Sequence, residues 1–300
     1  MSLLKPPIKP YSKPLFLLSL FFTAAVLAQN PTTPQTPEAP PQTPKQTSVA
    51  HDAPLNPALP TLFIVGDSTA RNQADLGWGD HFAHFFDTTK INIANRAMAG
   101  RSSRSYYNEG RWANVLAEMK PGDFVLIQMG HNDGGTSTPQ DDTKARASYK
   151  GIGDETAEYT LPKPFTTGPL AGQTTETIHT YGWYIRKYIA DTRAKKATPI
   201  LLTVTIRNIW VNDADGNPHI ERDMGFRDYE TQLAASEQVP LVDMATVEAD
   251  RLETLGQEKT ALLFPIDHTH TSPEGAELAA ESVATAIRNA NLPLAAYLKP

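Results

Sequence analysis

After Pro60, five short and mostly apolar runs, at 62–65, 91–94, 124–129, 200–206 and 240–243, alternate with longer stretches whose apolar residues recur at helical spacing. Strands that alternate with helices in this way build βαβ units and a parallel sheet. The pattern predicts one α/β domain of three layers, with five parallel strands between helices near 78–86, 111–119, 176–194, 225–238, 247–255 and 273–290. In the second of these, Trp112, Val115, Leu116 and Met119 fit the i, i+3, i+4, i+7 stripe of a helix face, and Pro121-Gly122 stops it. Ser272-Pro273-Glu274 opens the last one: Ser caps, Pro takes the first helical position, and Glu suits the positive end. The stretch 134–175 has no such periodicity and is rich in Gly, Pro, Thr and charge. A loop this long inside a compact domain suits a lid or a binding loop.

The chain opens with Lys5, Lys9 and Lys13, an apolar run over 15–27, and small residues ending in Ala28. This is the pattern of a secretory signal peptide over 1–28, cut after Ala28, which implies a secreted or periplasmic protein. The apolar run is shorter than the roughly 20 residues of a membrane-spanning helix, so stable membrane insertion is not expected. Prolines then recur among Thr, Gln and Ala from 29 to 59, where almost nothing can be buried. That segment reads as a disordered linker, either an extended spacer or a leader with no task. The catalytic domain is expected over 60–300.

Cysteine is absent, which removes disulfides, thiolate nucleophiles and thiolate metal sites from consideration. The formal net charge is −6, and loss of a leader with three lysines and no acid takes it to −9. Nucleic acid is therefore not an expected partner. An acidic polysaccharide would also be repelled by such a surface, and its recognition would need local arginines. Nothing in the sequence sets an oligomeric state.

The residues with chemical promise lie at strand ends. Gly66-Asp67-Ser68-Thr69 follows the first apolar run, and the tip of a parallel strand opens into the crevice where open α/β sheets bind ligands. Asp267-His268-Thr269-His270 lies about 200 residues on, just before the last helix. A serine needs a base to take its proton, and the base works best when a carboxylate fixes its tautomer. Asp267 and His270, three apart in one turn of chain, can supply both members of that relay to Ser68. Taken singly, Ser68 would equally suit a helix-capping serine and His270 a surface loop residue. An acyl-transfer intermediate also needs donors for its oxygen, and Gly100 and Asn132, at the ends of the second and third strands, are candidates beside the Ser68 N–H. Singly, Gly100 and Asn132 would suit ordinary turns.

Gly66-Asp67-Ser68, Gly100, Gly130-His131-Asn132-Asp133 and Asp267-x-x-His270 together resemble the four ordered blocks of the SGNH (GDSL-type) hydrolases. Gly77-Trp78-Gly79, with Thr69-Ala70 after the serine and Gly134-Gly135 after the third block, is similar to the rhamnogalacturonan acetylesterases within that family. The resemblance implies a flavodoxin-like αβα fold, with Ser68 as nucleophile, His270 as base and Asp267 as its orienter. It also implies an oxyanion hole of Ser68 N–H, Gly100 N–H and Asn132. Thr69 stands where the wider signature has Leu, which favours the carbohydrate branch. Fungal members carry disulfides, so the disulfide-free bacterial kind is the closer comparison.

The implied activity is removal of acetyl groups from a plant cell-wall polysaccharide, with rhamnogalacturonan first, through an acetyl-enzyme and with no cofactor. Alternatives are an acetylxylan or lipase-like esterase, and a polysaccharide-binding module without catalysis. Arg104 and Arg207 are the candidates for contact with substrate carboxylates, since a guanidinium can bind a carboxylate through two parallel bonds. His131, His268, Asp133 and Asp267 would suit a two-metal phosphoesterase, but that class needs an Asp-x-His pair after the first strand. Asp67-Ser68-Thr69 does not supply it, so no metal site is expected. His131 and His268 are read instead as braces for the loops around the site.

Overall fold

The computed structural model describes residues 54–134, 139, 142 and 144–300. The expected leader and the linker as far as residue 53 lie outside the described residues. Strands are numbered in chain order. The central sheet takes β1 (Thr61–Val65), β2 (Asn92–Asn95), β3 (Phe124–Ile127), β6 (Thr198–Leu202) and β9 (Leu241–Val242) in the spatial order β2-β1-β3-β6-β9, every pair parallel. Two small antiparallel hairpins, β4 (Ala157–Thr160) with β5 (Thr175–Ile178) and β7 (Trp210–Asn212) with β8 (Pro218–Ile220), lie outside it.

All five residues of β1 are buried because helices cover both faces of the sheet. Leu62 and Ile64 point into one layer, and Phe63 and Val65 into the other. The first layer contains Trp78, Phe82 and Phe86 together with α7 (Pro273–Asn289), whose Ala280, Val283 and Ile287 face the sheet. Full burial of side chains such as Val283 and Ile287 contributes roughly 1.5–3 kcal/mol each. The second layer is built by α2 (Arg111–Glu118), α3 (Tyr181–Ala194) and α4 (Arg227–Glu237). The shorter α1 (Ser103–Asn108) and α6 (Gln257–Leu263) were not expected, while α5 (Met244–Leu255) packs on α7 and β8.

Several boundaries differ from expectation for local reasons. The helix expected over 78–86 is two 3-10 turns, Trp78–Asp80 and Phe82–Phe85. There Trp78 N and Gly79 N donate to Thr69 O and Ala70 O at 3.0 and 2.9 Å, which pins the segment against the loop after β1. A Cβ at Gly79 would lie 2.7 Å from Ala70 O, so this approach requires glycine. The helix expected from 176 begins at Tyr181, because Thr175–Ile178 pairs with β4 and alternates exposed Thr with buried Glu176 and Ile178. The aperiodic stretch therefore holds β4 and the start of β5. Residues 54–59, the end of the expected linker, are tied to the domain: Asn56 N donates to Asn92 Oδ1 at 2.9 Å, and Lys120 Nζ donates to Leu59 O at 2.7 Å. Among the described residues no helix is long and apolar enough to cross a membrane.

Candidate active site

β1 lies between β2 and β3, so the loops leaving these three strands emerge side by side. The loop after β1 is shaped by Asp67, whose Oδ1 accepts from Thr69 N and Thr69 Oγ1, both at 2.9 Å. Thr69 Oγ1 and the Trp78 indole N–H both meet Gln128, at the end of β3. Ser68 is thereby held at the tip of β1, 8% exposed.

The opposing loop is positioned by α7. Ser272 caps that helix through Gly275 N at 3.2 Å, and Thr271 Oγ1 donates to Leu76 O at 3.0 Å. Asn208 N donates to His268 O at 2.8 Å, which ties the same turn to the chain leaving β6. His270 Nε2 meets Ser68 Oγ at 2.9 Å, and His270 Nδ1 meets Asp267 Oδ2 at 2.7 Å. A carboxylate accepts only, so the proton belongs on Nδ1 and Nε2 is left to accept from the serine hydroxyl. Asp267 Oδ1 takes the amide N–H groups of Thr269 and His270, each at 2.7 Å. Burial alone would raise this carboxyl, but the bonds from the His270 ring and from those amides outweigh it and hold the group at about 2. Asp267 is thus ionised wherever the imidazole works.

Gly100 follows β2 with φ +76°, a left-handed conformation that favours glycine. Among the described residues neither its N–H nor that of Ser68 has a protein acceptor. Asn132 follows β3, and its Nδ2 donates to Arg101 O at 3.2 Å, so the loops after β2 and β3 meet beyond the tip of β1. Asp133 anchors that turn by accepting from Ser103 N, Ser103 Oγ and Ser148 Oγ. Burial raises Asp133 to about 6 in spite of those bonds.

Of the two candidate substrate arginines, Arg207 adjoins the relay. Its guanidinium donates to His131 O at 3.4 Å, its Nε is buried without a partner among the described residues, and Asp67 and Asp267 lie within reach of its charge. Burial lowers Arg207 against the pull of those two carboxylates. Asp67 is raised by its own burial, against the Thr69 bonds and the charges of His270 and Arg207. Burial also pushes His131 down to about 3, which leaves a neutral ring whose Nε2 meets Thr205 Oγ1 at 2.8 Å and braces the loop.

Arg104 does not fit the expectation of substrate contact. It is fully buried in α1 and paired with the equally buried Glu176 of β5, with Nε to Oε1 at 2.5 Å and Nη2 to Oε2 at 2.9 Å. Its third contact is Nη1 to Ala147 O at 2.6 Å. A guanidinium whose donors are spent inside the protein cannot reach a polymer outside it, so Arg104 ties α1 to the hairpin instead. Arg146 was not anticipated: its Nη1 donates to Asn132 Oδ1 at 2.9 Å. Its position inside the aperiodic stretch carried no sequence signal. A recess of about 590 Å³ beside β2, lined by Asn56, Asp80 and Asn92, contains none of these residues. No group of three or more potential metal ligands converges among the described residues.

The GDSL-like Lipase/Acylhydrolase family matches residues 64–278, a span that contains every residue of the relay. Rhamnogalacturonan acetylesterase from Emericella nidulans is 32% identical over 228 residues, which are 76% of this chain and 84% of that protein. A Bacillus subtilis protein named probable rhamnogalacturonan acetylesterase YesY is 31% identical over 242 residues, 78% of this chain and 94% of its own. Among solved structures, the Bacillus subtilis protein YxiM superposes with a TM-score of 0.59 at 22% identity, covering 78% of this chain and 58% of that one. That likeness concerns the fold.

Proposed function

Because the chain belongs to the GDSL-like lipase/acylhydrolase family, whose chemistry is carboxylic ester hydrolysis, we propose that it is an exported esterase that deacetylates rhamnogalacturonan. The observation that carries the reading is the unbroken chain of hydrogen bonds from Ser68 Oγ through His270 to Asp267, at 2.9 and 2.7 Å. The two relatives named as rhamnogalacturonan acetylesterases support the choice of substrate. The leader pattern over 1–28 supports export.

In the proposed cycle Ser68 Oγ attacks the acetyl carbonyl carbon while His270 Nε2 takes the hydroxyl proton. Asp267 stabilises the imidazolium so formed. The carbonyl oxygen becomes an oxyanion and receives hydrogen bonds from Ser68 N–H, Gly100 N–H and Asn132 Nδ2. Collapse breaks the bond to the sugar oxygen, which leaves with the proton from His270. Water, deprotonated by His270, then attacks the acetyl-enzyme, and acetate departs as Ser68 regains its proton. Arg207, half-buried beside the relay, is the proposed contact for a galacturonate carboxylate.

Acetate release is the direct test, with wild type and Ser68→Ala compared on acetylated rhamnogalacturonan, acetylated xylan and 4-nitrophenyl acetate. Wild type is expected to deacetylate rhamnogalacturonan in preference to xylan. Ser68→Ala is expected to retain the fold by circular dichroism and lose turnover on all three. Preference for xylan would replace the substrate, full activity in Ser68→Ala would refute the nucleophile, and acetate release from none would leave a binding module.

A further inference from the structure

We infer that Arg146 is a positioning residue for the oxyanion hole, holding the Asn132 side-chain amide in the one orientation that turns an N–H toward the ester carbonyl at Ser68. This rests on the esterase reading above. An asparagine amide exchanges its oxygen and its NH2 group on a half-turn about its last bond, and only one of the two arrangements can stabilise an oxyanion. Arg146 Nη1 donates to Asn132 Oδ1 at 2.9 Å. A guanidinium has no acceptor, so the turned amide would set its NH2 group against the Arg146 donor and its oxygen against Arg101 O. The first Nδ2 hydrogen is taken by Arg101 O at 3.2 Å, and the second is left for substrate.

The same Nη1 lies 3.5 Å from Gly100 O, so one cationic nitrogen touches both loops proposed to supply donors. A charge on the oxygen side of an amide also polarises it and strengthens its N–H as a donor. Arg146 is fixed at its root. Its N–H donates to Asp142 Oδ2 at 2.7 Å, and its carbonyl accepts from Ser102 Oγ at 2.6 Å. Its Nε, by contrast, is buried with no partner among the described residues.

The test uses 4-nitrophenyl acetate, a neutral ester with no sugar carboxylate to bind. Arg146→Met is expected to lower kcat roughly 10- to 100-fold, approaching the loss of one oxyanion donor, with KM changed by less than about threefold. Arg146→Lys keeps a cationic donor and is expected to recover most of that loss. In an Asn132→Ala background Arg146→Met is expected to add less than about a twofold further loss, since the residue acts through the amide already removed. An unchanged kcat in Arg146→Met, or losses that multiply in the double variant, would overturn the inference. A loss confined to KM would overturn it too, because Arg146 would then be touching substrate instead of orienting the amide. Should Arg146→Met fail to fold, Arg146→Lys and Arg146→Gln are compared with and without Asn132→Ala. A difference in kcat that vanishes with Asn132→Ala supports the inference, and one that persists or never appears overturns it. An inactive wild type, or an active Ser68→Ala, would instead sink the esterase reading itself.

Discussion

Asn132 has two amide hydrogens, and the first is already spent on Arg101 O. The value of the other is measurable: Asn132→Ala is expected to lower kcat roughly a hundredfold or more with little change in KM, and an unchanged kcat would remove it from the oxyanion hole. At this scale the contacts from Ser68 through His270 to Asp267 were legible in the sequence because Asp267 and His270 sit within one turn of chain, and Ser68 ends an apolar run at which a strand tip was expected. Arg104 was misread because its partner, Glu176, lies 72 residues away, and nothing local to either distinguishes a buried ion pair from an exposed guanidinium. Arg146 escaped for the same reason. Its meaning comes from Asn132, which only the folded loops bring within 2.9 Å.

The five strands and the long helices could be read from apolar periodicity, which reports burial against the sheet. The hairpins could not, because their short strands are largely polar and partly exposed, so they form no apolar run that reports burial. α5 presents a different kind of hidden feature. Glu248 is buried on that helix and its Oε2 accepts from Ile206 N at 2.9 Å, beyond the end of β6. Burial raises its carboxyl from 4.5 to about 7, against that bond and the nearby Arg251 charge. A folded-state value above the unfolded one means the contribution to stability is full below about 4.5 and is lost as pH rises through about 7. By about pH 8 the loss amounts to about 3 kcal/mol. Glu248→Gln keeps an acceptor and never ionises. Its Tm advantage over wild type is expected to be larger by roughly 5 °C or more at about pH 8 than at about pH 4.5, and parallel pH curves would contradict this.

Taken whole, the chain carries a net charge of −6, or −9 for residues 29–300, while the proposed substrate, rhamnogalacturonan, is itself an anion. Long-range repulsion slows such an encounter, and salt screens it over about 10 Å at 0.1 M. Raising ionic strength is therefore expected to raise kcat/KM on the polymer and to leave 4-nitrophenyl acetate unaffected. A fall on the polymer would show that local attraction, with Arg207 first among its sources, outweighs the global field.

The bond between Ser68 and His270 spans 202 positions, and the turn that presents the imidazole is set by the cap of α7. On the proposed mechanism, a growing polypeptide is consequently expected to stay inert toward esters until its final helix has docked, however early β1 and β3 have paired. Recovery of turnover after dilution from denaturant thus serves as a clock for the last assembly step. On that mechanism, a single cut in the backbone between α6 and α7, if it let the helix drift away, would silence the enzyme while leaving all five strands of the sheet upstream of the blade.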